Sequence, residues 1–265
     1  MKITSIMPLC LGMVLFSATA QAAPAIYPVD TARFLGGAKF DFNVEVAREL
    51  KESDANVRIN CRSVADVFGA KPEFIKNEEG KGSAILLRNV TLKPGKYTVS
   101  AKDGKEEALA KWDVYGTPEK ASARNVILLI ADGLSMGHRT GARLLSKGVT
   151  NGMYNGYLSM DTLPYTGMLG TCSVDSIAAD SANTASAYMT GHKSSVNAIG
   201  VYADRTKDPF DDPRQETIAE ILRRKTNKSI GIVSDAEIED ATPAAVVSHT
   251  RKRSEKAAIV GMFAG

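Results

Sequence analysis

With 265 residues, 44% of them hydrophobic and 24% charged, the chain has ordinary globular composition and is long enough for one large or two small domains. Its net charge of +3 reflects 33 Lys and Arg against 30 Asp and Glu, interspersed along the chain instead of gathered into blocks. That balance excludes the charge signature of a nucleic-acid binder or a membrane-surface protein.

The N-terminus reads as an export signal. Lys2 precedes an apolar stretch over residues 6–16, and Ala20-Gln21-Ala22 forms a small-x-small cleavage site, so residues 1–22 are expected to be removed and the mature protein to be periplasmic or secreted. The stretch is shorter than the roughly 20 apolar residues that span a bilayer. Met7-Pro8-Leu9 ahead of Cys10 makes a poor lipidation motif. Cleavage leaves Cys61 and Cys172 in an oxidising compartment; they fall in different predicted domains, and buried free thiols compete with an inter-domain disulfide.

Over residues 25–117 the dominant period is two. Phe40, Phe42, Val44 and Val46 alternate with Asp41, Asn43 and Glu45, and Val57, Ile59 and Cys61 alternate with Arg58, Asn60 and Arg62. Further strands are expected over residues 83–88, 96–101 and 108–115, with turns at Lys93-Pro94-Gly95-Lys96 and Asp103-Gly104. The pattern predicts a small all-β, immunoglobulin-like antiparallel sandwich with no cluster of chemical groups, an accessory or packing module.

Residues 116–123 read as a linker, and beyond them the pattern changes. Residues 125–131 (NVILLIA) form a continuous apolar run of the kind a doubly buried parallel strand shows, ending at Asp132-Gly133. A helix is expected over 139–147, a strand over 166–171, a small-residue helix over 181–189, an amphipathic helix over 215–225 and a buried-type strand over 229–233. Alternating strands and helices imply an α/β fold, a partial doubly wound and mostly parallel sheet, over residues 118–265. In such sheets ligands collect at the carboxyl ends of strands, where helix N-termini present N–H groups to anions.

Three clusters sit at such transitions. Asp132 is placed to bind a hard metal ion, or else to cap a turn. Asp180-Ser181-Ala182-Asn183-Thr184-Ala185-Ser186-Ala187 puts a serine on the first turn of a small-residue helix. There its oxygen is either a nucleophile open to a tetrahedral phosphate or a plain cap. Asp175-Ser176 repeats the dipeptide without the helix. Asp240-Ala241-Thr242-Pro243 is followed by His249 and Arg253, whose planar fork suits a phosphate or simply lies in solvent.

The order and spacing of three blocks, residues 124–148, 180–191 and 229–253, with Tyr157-Leu158-Ser159-Met160-Asp161 between the first two, resemble the alkaline phosphatase family in its magnesium-type bacterial form. The resemblance covers residues 124–256 and not the β module. It implies hydrolysis of phosphate monoesters through a phosphoserine at a site with two Zn²⁺ and one Mg²⁺, with a homodimer as the assembly relatives commonly form. By resemblance Ser181 is the nucleophile and a zinc ligand, and Asp132 is shared between that zinc and the magnesium. Thr242 is a magnesium ligand, and Asp240 holds magnesium-bound water. Arg253 clamps the phosphate, and Asp180 orients it. Serine is almost wholly protonated at neutral pH, so metal activation stands in for a histidine base.

The family's remaining ligands, histidines among them, have no counterpart here. His138, His192 and His249 fall at no ligand position; His249 reads as helix packing and the other two as loop or surface residues. The chain is accordingly expected to be a fragment, inactive or nearly so by itself. The competing functions are a non-catalytic secreted binding protein with a degenerate phosphatase fold and a phosphodiesterase or sulfatase relative.

Overall fold

The computed structural model describes residues 23–120 and 122–264, so the expected export signal and its expected cleavage point near Ala22 lie outside the described residues. Residues 25–115 build two sheets. One runs β1 (Ala25–Tyr27), β3 (Phe40–Glu45), β7 (Ala84–Val90), β6 (Glu73–Ile75), all antiparallel. The other runs β2 (Arg33–Leu35), β9 (Glu107–Tyr115), β8 (Gly95–Lys102), β4 (Asn56–Ile59), β5 (Arg62–Ser63), and its β2–β9 pair is parallel, so this second sheet is mixed instead of antiparallel throughout as expected. A short helix, α1 (Val64–Phe68), follows β5 and is capped by the Ser63 hydroxyl.

The period-two alternation explains the core. Phe40, Phe42 and Val44 project from β3 onto Ile59, Val99, Ala110 and Trp112 of the other sheet. Trp112 meets Phe40 and Phe42 edge-on at ring separations of 6.0 and 6.2 Å, and its Nε1 donates to the Pro28 carbonyl at 3.0 Å. One expected alternation stops short. Asn60 and Cys61 both have positive φ, +48° and +65°, forming a two-residue turn between β4 and β5. Cys61 is thus an exposed turn residue; Cys172 is also exposed, and both thiols are free, contrary to the expectation of burial.

After the linker come α2 (Met136–Lys147), the hairpin β10 (Val149–Thr150) and β11 (Met153–Tyr154), α3 (Ser181–Thr190), α4 (Ile218–Lys225), α5 (Ala241–Ala244) and α6 (Lys256–Met262). Small residues let α3 and α5 approach closely around Ala182, Ala185, Ala241, Ala244 and Ala245. α4 starts three residues later than expected. Gln215 is held in an antiparallel bridge to Phe40, and the helix opens with a reciprocal cap in which the Glu220 N–H donates to Thr217 Oγ1 and the Thr217 N–H to Glu220 Oε2.

None of the three apolar runs expected as parallel strands, over 125–131, 166–171 and 229–233, is a strand among the described residues. Ile127 and Leu129 are 86% and 89% exposed. A doubly buried strand needs a hydrogen-bonded neighbour at its edge and a layer on each face; these runs have neither here. No described helix is long and apolar enough to cross a membrane.

The two halves meet on the outer face of β3. Asp41, Asn43 and Glu45 are buried although they point away from the sandwich core. The Asp41 carboxylate accepts from Arg88 and from the Asn89 and Arg214 N–H groups, while Glu45 accepts from the Arg205 N–H. The Arg205 guanidinium donates to Glu78 and to the carbonyls of Val46, Lys81 and Ser83. Residues 204–216 are therefore stitched to the β module by backbone and charge-assisted bonds.

Candidate active site

α3 brings Ser181 to its first turn for a local reason. The Asp180 carboxylate accepts the Asn183 N–H at 3.0 Å, which caps the helix, so the next residue, Ser181, faces outward at the positive end of the helix dipole. Arg253 reaches it from beyond α5. Its Nη1 donates to Ser181 Oγ at 2.7 Å, and its Nη2 donates to Asp240 Oδ1 at 2.6 Å. Asp240 in turn caps α5 by accepting the Ala241 N–H at 2.8 Å. That N–H, with the Arg253 guanidinium, holds the Asp240 carboxyl below the usual carboxylate range.

Two residues along from Asp240, Thr242 Oγ1 donates to Asp132 Oδ2 at 3.0 Å. Five of the six expected residues thus gather around the starts of α3 and α5 as Ser181–Arg253–Asp240 and Asp132–Thr242. Asp180 is the sixth, and its side chain meets Arg253 only indirectly. Its Oδ2 accepts the Asn197 N–H at 2.6 Å, and the Asn197 carbonyl accepts the Arg253 N–H at 2.9 Å.

Tyr188 joins the site unforeseen. It lies two turns along α3 from Ser181, on the same face, and its half-buried phenol stands beside Asp132 and Thr242. Burial and then the Asp132 carboxylate push its pKa up to about 12. The spacing of seven from Ser181 was the available signal.

The histidines are engaged elsewhere. His138 completes the cap of α2 with Ser135. His192, expected in a loop or at the surface, lies in the loop after α3 but is buried; it stacks on Phe34 at 4.6 Å and bonds Tyr202 at 3.0 Å. Burial alone lowers its pKa to about 3. His249 is buried between Glu220, 3.0 Å from Nε2, and the Gly200 carbonyl, 2.9 Å from Nδ1. The donors near Ser181 among the described residues are therefore all oxygens, a set that fits Mg²⁺ at Asp132 and Thr242 and offers zinc only Asp132 and Ser181.

A second group of carboxylates able to hold a metal ion, Asp204, Asp211 and Asp212, also escaped the sequence reading. Its signal was the density of Asp between residues 204 and 212.

A family model described as alkaline phosphatase matches residues 123–262. Over 137 residues the chain is 35% identical to an alkaline phosphatase of Gadus morhua, covering 50% of this chain and 28% of that protein. It is 34% identical over 202 residues to alkaline phosphatase 4 of Drosophila melanogaster, covering 74% of this chain and 31% of that one. A solved structure of a cold-active alkaline phosphatase from a Shewanella species is 25% identical with a TM-score of 0.44, over 51% of this chain and 32% of its own. The chain thus spans less than a third of the length of these curated relatives. With the family model covering more than half of its residues, the chain belongs to the alkaline phosphatase family.

Proposed function

We propose that this chain carries the nucleophile-bearing part of an exported phosphomonoesterase, with Ser181 attacking phosphorus to form a phosphoserine that water then hydrolyses. The observation that carries it is the Arg253 fork, which stands 2.7 Å from Ser181 Oγ while its other arm is anchored on Asp240. A guanidinium held there is positioned to neutralise the equatorial oxygens of a phosphoryl group as Ser181 approaches it. Two charges on a terminal phosphate match this clamp better than the single charge of a diester, which favours monoesters over the diesterase or sulfatase reading.

Asp132, Ser181 and Thr242 are the residues that would hold metal, with Asp240 behind the magnesium. When bound, two zinc ions and one magnesium ion would supply Lewis acidity at the attacking and leaving oxygens. The apolar runs at 125–131, 166–171 and 229–233, which form no strand among the described residues, would in the proposed catalytic domain pair into a doubly wound, mostly parallel sheet, the arrangement that buries such runs on both faces. A homodimeric assembly and a periplasmic or extracellular location belong to the same reading.

One observation favours a non-catalytic phosphate-binding protein: all three histidines are committed away from Ser181. Acid quenching with radiolabelled phosphate, on a protein that carries the whole proposed catalytic domain, separates the two. A phosphoserine that disappears in Ser181→Ala supports the enzyme, and phosphate binding without any label supports the binding protein. Label persisting in Ser181→Ala would remove that residue from its role. Comparing p-nitrophenyl phosphate with its bis ester tests the substrate class, and faster turnover of the diester would overturn the monoesterase assignment.

A further inference from the structure

The loop between Tyr202 and Arg214 crowds oxygen atoms together beneath the β module. Asp204 Oδ1 and Asp211 Oδ1 lie 2.5 and 2.7 Å from the same Thr206 hydroxyl, which has one proton to share between them. Asp212 is wholly buried. Its Oδ1 accepts the Asp204 N–H at 3.0 Å, and its Oδ2 has no hydrogen-bond donor. That free oxygen faces the Arg251 guanidinium at 3.5 Å, the same guanidinium that stands 3.8 Å from Asp204 Oδ1, so both oxygens border one space. Ligand atoms from all three carboxylates lie within 4.8 Å of one another.

The charges do not balance. Arg251 is the cation next to three carboxylates. Arg205, although adjacent in sequence, turns its guanidinium to Glu78 and the carbonyls of Val46, Lys81 and Ser83. Three carboxylates thus share one guanidinium in a largely buried place, where crowded carboxylates are costly.

We propose that Asp204, Asp211 and Asp212 bind a hard divalent cation, calcium, and that the ion fastens the 202–214 loop under the β module. All the donors are oxygen, which excludes a soft metal. Their irregular loop setting, with the Thr206 hydroxyl among them, suits the flexible six-to-eight-oxygen shell of calcium better than the strict octahedron of magnesium. The ion relieves the crowding of the three carboxylates and gives the orphaned Asp212 oxygen a partner. The loop it fixes carries Arg205, and the Asp211 carbonyl itself accepts from Arg88 of β7 at 2.8 Å, so the site acts on the contact between the two halves. The cluster shares no residue with the Ser181 site.

Terbium(III), which substitutes for calcium, tests this through energy transfer from nearby tyrosines. The rings of Tyr27 and Tyr202 lie 5.5 Å apart at a tilt, and Tyr202 is two residues from Asp204. The chain is prepared as Asp132→Asn, which removes the carboxylate beside Tyr188, so emission from the Ser181 site does not contribute. Tyrosine-sensitised emission is expected, displaced by calcium at concentrations at least tenfold below those of magnesium. Asp211→Asn, at a position less buried than Asp212, is expected to weaken terbium affinity at least tenfold with an unchanged circular dichroism spectrum; Asp212→Asn repeats the test at the buried position. Absent emission, or affinity unchanged in Asp211→Asn, would overturn the site and leave Arg251 as the only cation these carboxylates take. Magnesium displacing as well as calcium would overturn the choice of ion.

Discussion

Ser181 and Arg253 lie 72 positions apart in the chain and 2.7 Å apart in space. If the fork clamps phosphate, Arg253→Lys keeps the charge but loses the paired geometry, and inorganic phosphate should inhibit about tenfold less well, or ~1.4 kcal/mol. Asp240→Ala frees one arm of the fork and should raise KM for the monoester while leaving the fold intact; competitive inhibition and steady-state kinetics check both. The small residues behind Ser181 made its setting legible in the sequence, because they predict a helix that something can approach closely. The actual partners of Asp180 were not legible, since a carboxylate that caps a helix and one that orients an arginine read alike. The burial of His192 was missed for a related reason: it lies in a loop, as expected, without periodicity, and its burial is created by Phe34 of the other half. The folded chain keeps His192 neutral down to about pH 3, whereas an unfolded chain protonates it near 6.5. Stability present above pH 6.5 is therefore lost as pH falls toward 3, by an amount on the order of a few kcal/mol. His192→Phe should flatten the acid limb of the Tm against pH profile between pH 6.5 and 4; an unaltered limb would assign the acid sensitivity to other groups.

At the scale of elements, three strands of the β module were read to within two residues and the starts of α2 and α4 to within three, while the apolar runs beyond the linker were misread. α2, α3 and α4 carry their own caps, Ser135, Asp180 and Thr217, so their starts are decided within a few residues of sequence. β4 ended two residues early because Asn60 and Cys61 turn the chain, an arrangement that alternation alone does not reveal. The apolar runs at 125–131, 166–171 and 229–233 depend on neighbours far along the chain, and a strand is a property of its neighbours as much as of its residues. The end of α3 supplies a sharper test. Gly191 closes the helix at φ +80°, and a Cβ added there would come within 2.4 Å of the Arg33 carbonyl. Gly191→Ala should cost more than about 2 kcal/mol in chemical denaturation, the left-handed conformation and the backbone clash adding together.

At the scale of the whole molecule, the β module is not a passenger on a tether. Its buried Asp41 and Glu45, Arg88 and the carbonyls of Val46, Lys81 and Ser83 all bond residues 204–216. Protease nicking within residues 116–123 should therefore leave two pieces that co-elute in gel filtration at neutral pH. Arg205→Ala removes four of these bonds in one step and should let the nicked pieces separate. Trp112, the only tryptophan in the chain, is buried in the module's core. Its fluorescence accordingly watches the β module alone, while far-ultraviolet ellipticity is dominated by the helices beyond the linker. The two signals form a built-in pair of probes: a single shared denaturation curve would mean that the halves melt as one cooperative unit, and a fluorescence transition lagging the helical one would give the free energy with which the module stands by itself.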